Sequence, residues 1–140
     1  MHARPARRTI GQVAAQKILV VDDDPDIRRI ASVALERIGG FRVDLACDAA
    51  EALRLAAKEP PDVVLLDVSM PGTDGPATLQ ALRALPATAG VPVIFFTAIS
   101  SEAETARLRG LGAVGVVPKP FDVVDLPRRV RDILSQMAVK

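Results

Sequence analysis

The residues of this chain with the most chemical potential are polar groups placed where apolar runs stop. Asp22, Asp23 and Asp24 follow Lys17-Ile18-Leu19-Val20-Val21, and Asp67 follows Val63-Val64-Leu65-Leu66. Thr97 closes the run Val91 to Phe96, and Lys119 follows Val114 to Val117. If these ends meet, three carboxylates crowd together, and burying them without compensation costs several kcal/mol. A divalent cation relieves the repulsion. With oxygen donors only, and no histidine or thiol nearby, the ion is a hard one; one or two direct carboxylates with retained waters suit Mg²⁺ better than Ca²⁺. The formal charges of Asp22, Asp23, Asp67, Lys119 and such an ion cancel, so the pocket can accept a phosphoryl group held by the ion, the ammonium and the Thr97 hydroxyl. Taken singly, each residue has an ordinary reading. Asp67 could cap a turn, Asp24 and Asp26 suit a helix N-terminus, Lys119 could be a surface lysine and Thr97 a plain strand residue. Asp22 and Asp23 precede the cap and are poorly explained that way, and the joint placement is what carries weight.

The elements that must position these groups can be read from periodicity and caps. Four consecutive Val/Leu residues between Pro61-Asp62 and Met70-Pro71-Gly72 read as a strand buried on both faces, Asp62 to Asp67. Lys17 to Val21 is another, after which Asp24 and Pro25 start a helix to about Ile38, stopped by Gly39-Gly40, with an expected apolar face of Ile27, Ile30, Ala34 and Ile38. Phe41 to Ala46 is a short strand. Asp48 then caps a helix to Lys58 that packs through alanine-sized groups, and a helix from about Gly75 to Leu85 follows Asp67. Ser101-Glu102-Ala103-Glu104 resembles a capping box for a helix ending at Gly110 or Gly112. The last helix, with Leu126, Val130, Ile133, Leu134 and Met137 at helical spacing, starts near Asp125 so that Pro127 falls in its first turn. Five strands alternating with five helices predict a parallel α/β sheet covered on both faces, with any ligand at the carboxyl ends of the strands.

Composition narrows the classes. A chain of 140 residues has room for one domain, and its 49% hydrophobic content suits a globular fold. No apolar run reaches the roughly 20 residues of a membrane span, and the basic start from His2 to Arg8 leads into no signal-peptide core, so a cytoplasmic protein without membrane contact is expected. The single Cys47 supports neither a disulfide nor a zinc site. A net charge of +1 argues against direct nucleic-acid binding; the basic segment 1–16 reads as a disordered tail, leaving 17–140 as the domain.

The motifs ILVVDDD, LLDVSMPGTDG, VIFFTA and PKPF, in this order and spacing, strongly resemble the receiver domain of two-component response regulators over residues 17–138. The resemblance implies a flavodoxin-like (βα)5 fold with strand order 2-1-3-4-5. It also implies that Asp67 is a phosphoacceptor taking phosphate from a sensor histidine kinase or histidine phosphotransfer protein. By position, Asp23 is similar to the direct Mg²⁺ ligand, Asp22 to its water-mediated neighbour, and the backbone carbonyl of Ser69 to a further ligand. Thr97 corresponds to the switch hydroxyl and Lys119 to the phosphoryl-binding lysine, aimed inward by a cis Lys119-Pro120 bond. Such a protein is not an enzyme beyond assisting its own phosphorylation and dephosphorylation. The family's usual aromatic residue three before the lysine is Val116 here, and Ser69 and Ile99 stand where phosphate lifetime is influenced.

A stand-alone receiver is expected, switching an unidentified output protein through the fifth strand and last two helices. A receiver cut from a longer regulator or hybrid kinase is the alternative within the family. A haloacid-dehalogenase-like phosphatase would need Thr or Val where Asp26 stands, and a flavodoxin-like FMN module would need a hydroxyl-rich phosphate loop where four aspartates stand.

Overall fold

A computed structural model describes residues 16–70, 72–99 and 101–138. The expected basic tail before Gln16, and Pro71 of the turn signal, lie outside the described residues. Five strands form one parallel sheet: β1 (Lys17–Val21), β2 (Arg42–Ala46), β3 (Val63–Asp67), β4 (Val93–Thr97) and β5 (Gly115–Pro118), in the spatial order β2-β1-β3-β4-β5. The helices are α1 (Pro25–Val33), α2 (Ala49–Lys58), α3 (Gly75–Ala84), α4 (Glu102–Gly110) and α5 (Asp125–Ala138). This is the flavodoxin-like order expected from the sequence.

Both faces of the sheet are dry. Leu19, Val21, Val64, Leu66 and Phe95 pack with Ala52 and Ala56 of α2, Leu79 and Leu82 of α3 and Leu108 of α4. On the other face Ile18, Val20, Leu65, Ile94 and Phe96 meet Ala31, Ala34 and Leu35 near α1, and Leu126 and Val130 of α5. Full burial of a large aliphatic or aromatic side chain is worth about 1.5–3 kcal/mol, which is why uninterrupted apolar runs make the central strands. Register aligns the strand ends: Val21 lies beside Ala46 and Leu66, Asp67 beside Phe96, and Thr97 beside Pro118. Polar residues that follow the runs therefore emerge along one edge.

One expectation for α1 is corrected. Along α1 and the turn that continues it the buried residues are Ala31, Ala34 and Leu35, whereas Ile30 and Ile38 are 42% and 50% exposed. The small alanines let the helix approach the sheet closely. Beyond Val33 the helix widens into a π-turn, Ala34–Ile38, in which the Gly39 amide donates to the Ala34 carbonyl at 3.0 Å. That turn carries Ile38 off the inward stripe a uniform α-helix would give it. The end is closed by Gly40 at φ 75° and by Arg131 of α5, which donates to the Gly39 carbonyl and lies over the Phe41 ring.

Gly75, the first residue of α3, touches the end of β3. Its amide donates to the Val68 carbonyl at 2.7 Å, and a Cβ there would lie 2.5 Å from the Asp67 carbonyl and 2.8 Å from Phe95. Gly75→Ala is expected to lower stability by about 1–3 kcal/mol, since backbone must shift to admit the methyl group. A urea denaturation midpoint equal to that of the unsubstituted protein would contradict this packing.

Candidate functional site

The site is assembled from loops that β1, β3, β4 and β5 release on one edge. After β1 the chain turns through Asp22, whose Oδ1 accepts the Asp24 amide at 2.9 Å, and Asp24 then caps α1 by accepting the Asp26 amide at 2.8 Å. The local hydrogen bonding that makes Asp24 a cap thus also fixes Asp22. Asp22 is fully buried, Asp23 is exposed, and carboxylate oxygens of Asp22, Asp23 and Asp67 lie within 4.8 Å of one another. Asp67 is 6% exposed, and its Oδ1 accepts the Ser69 amide at 3.2 Å. Ser69 and Met70 then pair antiparallel with Thr73 and Asp74, folding the loop after β3 back on itself.

Lys119 joins the two buried acids. Its Nζ is 2.9 Å from Asp22 Oδ2 and 3.3 Å from Asp67 Oδ1. The Lys119-Pro120 peptide is cis. The ammonium also lies over the Phe96 ring, which stacks on Phe121. Burial pushes the Asp67 carboxyl above its ordinary range, and the neighbouring charge of Asp22 adds to that; the Ser69 amide and Lys119 offset only part. Burial alone would lower Lys119, but its contacts with Asp22 and Asp67 outweigh it and hold the ammonium above the usual lysine value.

The groups brought together are compatible with a metal ion. Asp22 Oδ2 is buried and, despite the nearby ammonium, receives no well-directed hydrogen bond, so a cation could satisfy it. The donors are all oxygen, which selects a hard ion. Beside them Asp67, Ser69, Thr97, Ile99, Glu104 and Lys119 help line a pocket of about 360 Å³. Thr97 is buried, and its hydroxyl is turned to the backbone of Ile99, accepting the amide at 3.0 Å and donating to the carbonyl at 3.3 Å. Asp67, Ser69, Thr97 and Lys119 thus line one strand-end pocket, and Asp22 and Asp23 cluster with Asp67 beside it.

Two participants were not evident from sequence. Arg28 of α1 donates from Nη1 to the Asp22 carbonyl at 2.7 Å, bracing the acidic loop from behind; its place one turn after the Asp24 cap was the available signal. Glu104 fits a capping box by type and spacing. Ser101 does accept the Glu104 amide at 3.1 Å, but the Glu104 carboxylate takes Nε and Nη2 of Arg107, each at 3.0 Å, and lines the pocket.

Comparison with known proteins shows family and fold. The family model described as "Response regulator receiver domain" matches residues 18–131. The chain is 41% identical over 126 residues to the transcriptional regulatory protein PrrA of Mycobacterium tuberculosis, covering 89% of this chain and 52% of PrrA. It is 36% identical over 120 residues to the DNA-binding dual master transcriptional regulator RpaA of a Synechocystis strain, covering 86% and 49%. Among solved structures, the chemotaxis response regulator CheY4 of Vibrio cholerae superposes with a TM-score of 0.80 at 31% identity, over 86% of this chain and 99% of that one. The chain spans about half the length of the curated relatives it matches.

The raised Asp67 carboxyl has a consequence for stability. Its charged form is disfavoured in the folded state, a cost present above the folded pKa and lost as pH falls through it toward the unfolded value of about 3.9. Asp67→Asn is therefore expected to raise the thermal midpoint in metal-free buffer at neutral pH, by a margin that shrinks on acidification. A lower midpoint for the variant at neutral pH would contradict the electrostatics described.

Proposed function

The chain belongs to the response regulator receiver family of two-component signalling, and on that premise we propose that Asp67 accepts a phosphoryl group from phosphohistidine on a sensor kinase or histidine phosphotransfer protein. The observation that carries this reading is the placement of Lys119 between buried Asp22 and Asp67, at 2.9 and 3.3 Å, in the pocket that Thr97 also lines. An Asp67 carboxylate oxygen attacks phosphorus. The P–O bond forms as the P–N bond breaks, and the imidazole leaves after taking up a proton. Lys119 pairs with the phosphoryl oxygens as negative charge moves onto Asp67. Thr97 gives up its turn with Ile99 to donate its hydroxyl to the new group. Asp22, Asp23, Asp67 and the Ser69 backbone carbonyl would hold Mg²⁺, which supplies positive charge to the phosphoryl oxygens. No other substrate is turned over, so the protein is not an enzyme in the usual sense.

Transfer requires a partner to present its phosphohistidine at this edge. Ile30, Val33, Ile38 and Val123 line an exposed apolar groove with Arg29, a surface suited to protein contact. Phosphorylation then shifts a two-state equilibrium in the face made by α4, β5 and α5, which contacts an output protein. The domain is taken as 17–140 and its setting as cytoplasmic; among the described residues no helix is long and apolar enough to cross a membrane. A longer regulator is the second reading, favoured by the half-length match to PrrA and RpaA, proteins named for transcriptional regulation. Direct nucleic-acid contact is not assigned to the receiver in either reading, given the net charge of +1.

Incubation with radiolabelled acetyl phosphate and Mg²⁺ should label the unsubstituted protein stoichiometrically. Chelation with EDTA should suppress labelling, and Lys119→Ala should slow it by about 100-fold or more, the usual cost of one lost charge-stabilising donor. Persistent stoichiometric labelling of Asp67→Asn would overturn the assignment.

A further inference from the structure

Glu104 shares the pocket of Asp67 but stands apart from the three-aspartate cluster. Its side chain is only 12% exposed, and its charge is balanced by one partner, the half-exposed Arg107. It sits in the first turn of α4, a nine-residue helix in which Leu108 is the single buried residue. Within the helix one apolar side chain is fully buried, and an acid on its first turn forms part of the pocket wall. The loop leading to it contains Ile99, whose backbone engages the Thr97 hydroxyl. In β5, Val116 packs with the cluster on the α2–α3 face of the sheet and brings no polar group to the pocket.

We infer that Glu104 is the charge sensor that converts phosphorylation into movement of α4. The inference rests on Asp67 being the phosphoacceptor. A phosphoryl group on Asp67 adds negative charge to a pocket that Glu104 already lines with its own. Arg107 pairs with Glu104 through two hydrogen bonds and is not among the pocket-lining residues. Like charges facing one pocket repel, so Glu104 leaves the wall and α4, in which Leu108 is the one buried residue, is displaced with it. An acid at this place performs electrostatically what a rotating aromatic at the position of Val116 would perform by packing. Glu104 touches no reacting atom in this account; it is a positioning residue for the output face.

Amide hydrogen exchange of residues 102–110 in the full chain tests this, with and without labelling by acetyl phosphate and Mg²⁺, the labelling being brought to equal stoichiometry in each protein. In the unsubstituted protein, exchange in α4 should accelerate about tenfold on labelling, the equivalent of about 1.4 kcal/mol. Glu104→Gln, nearly isosteric and uncharged, should lose most of that acceleration, while Glu104→Asp, which keeps the charge, should retain it. An equal acceleration in Glu104→Gln, or none in the labelled unsubstituted protein, overturns the inference while leaving the phosphoacceptor reading intact. Failure of the unsubstituted protein to become labelled removes the premise and the inference with it.

Discussion

The structure turns on two buried carboxylates that share a single ammonium. Asp22 and Asp67 are 0% and 6% exposed, and Lys119 reaches both. Burial pushes the Asp67 carboxyl up, and the charge of Asp22 adds to it because one cation cannot neutralise two anions; Asp22 Oδ2 receives no well-directed hydrogen bond. Such a site is under electrostatic tension that a divalent cation relieves. The same tension favours whatever adds cationic density and allows negative charge to be redistributed, which is the chemistry required to move a phosphoryl group onto a carboxylate.

The rest of the fold holds that arrangement in place. Buried strands on both faces fix β1, β3, β4 and β5 in register, so that the acids, the hydroxyl and the lysine emerge at one edge. Local devices refine the aim: the Asp24 cap orders Asp22, Arg28 braces the Asp22 carbonyl, and Gly75 lets α3 close against the end of β3. The sheet is buried on both faces, whereas within α4 only Leu108 is fully buried.

Much of this was legible in the sequence because strands buried on both faces write continuous apolar runs, and caps and glycines punctuate them. The strand order and the convergence of Asp22, Asp23, Asp67, Thr97 and Lys119 followed from those signals together with the family resemblance. What was not legible depended on side-chain direction. The burial of Ala31 and Leu35 in place of Ile30 and Ile38 reflects close helix–sheet approach and a π-turn that no periodicity announces. Glu104 fits a capping box by type and spacing, yet its carboxylate pairs with Arg107 and lines the pocket. Arg28 reads as a surface arginine until the fold turns it toward the Asp22 carbonyl.

The central claim is that Asp67 itself carries the phosphoryl group. Reductive trapping measures this directly: the protein is treated with acetyl phosphate and Mg²⁺, the acyl phosphate is reduced with borohydride to the corresponding alcohol, and the converted residue is located by peptide mass spectrometry. Conversion of Asp67 to homoserine, dependent on both phosphodonor and Mg²⁺, is the predicted result. Conversion at a different acid, or none at Asp67 in protein that has taken up phosphate, would contradict the account.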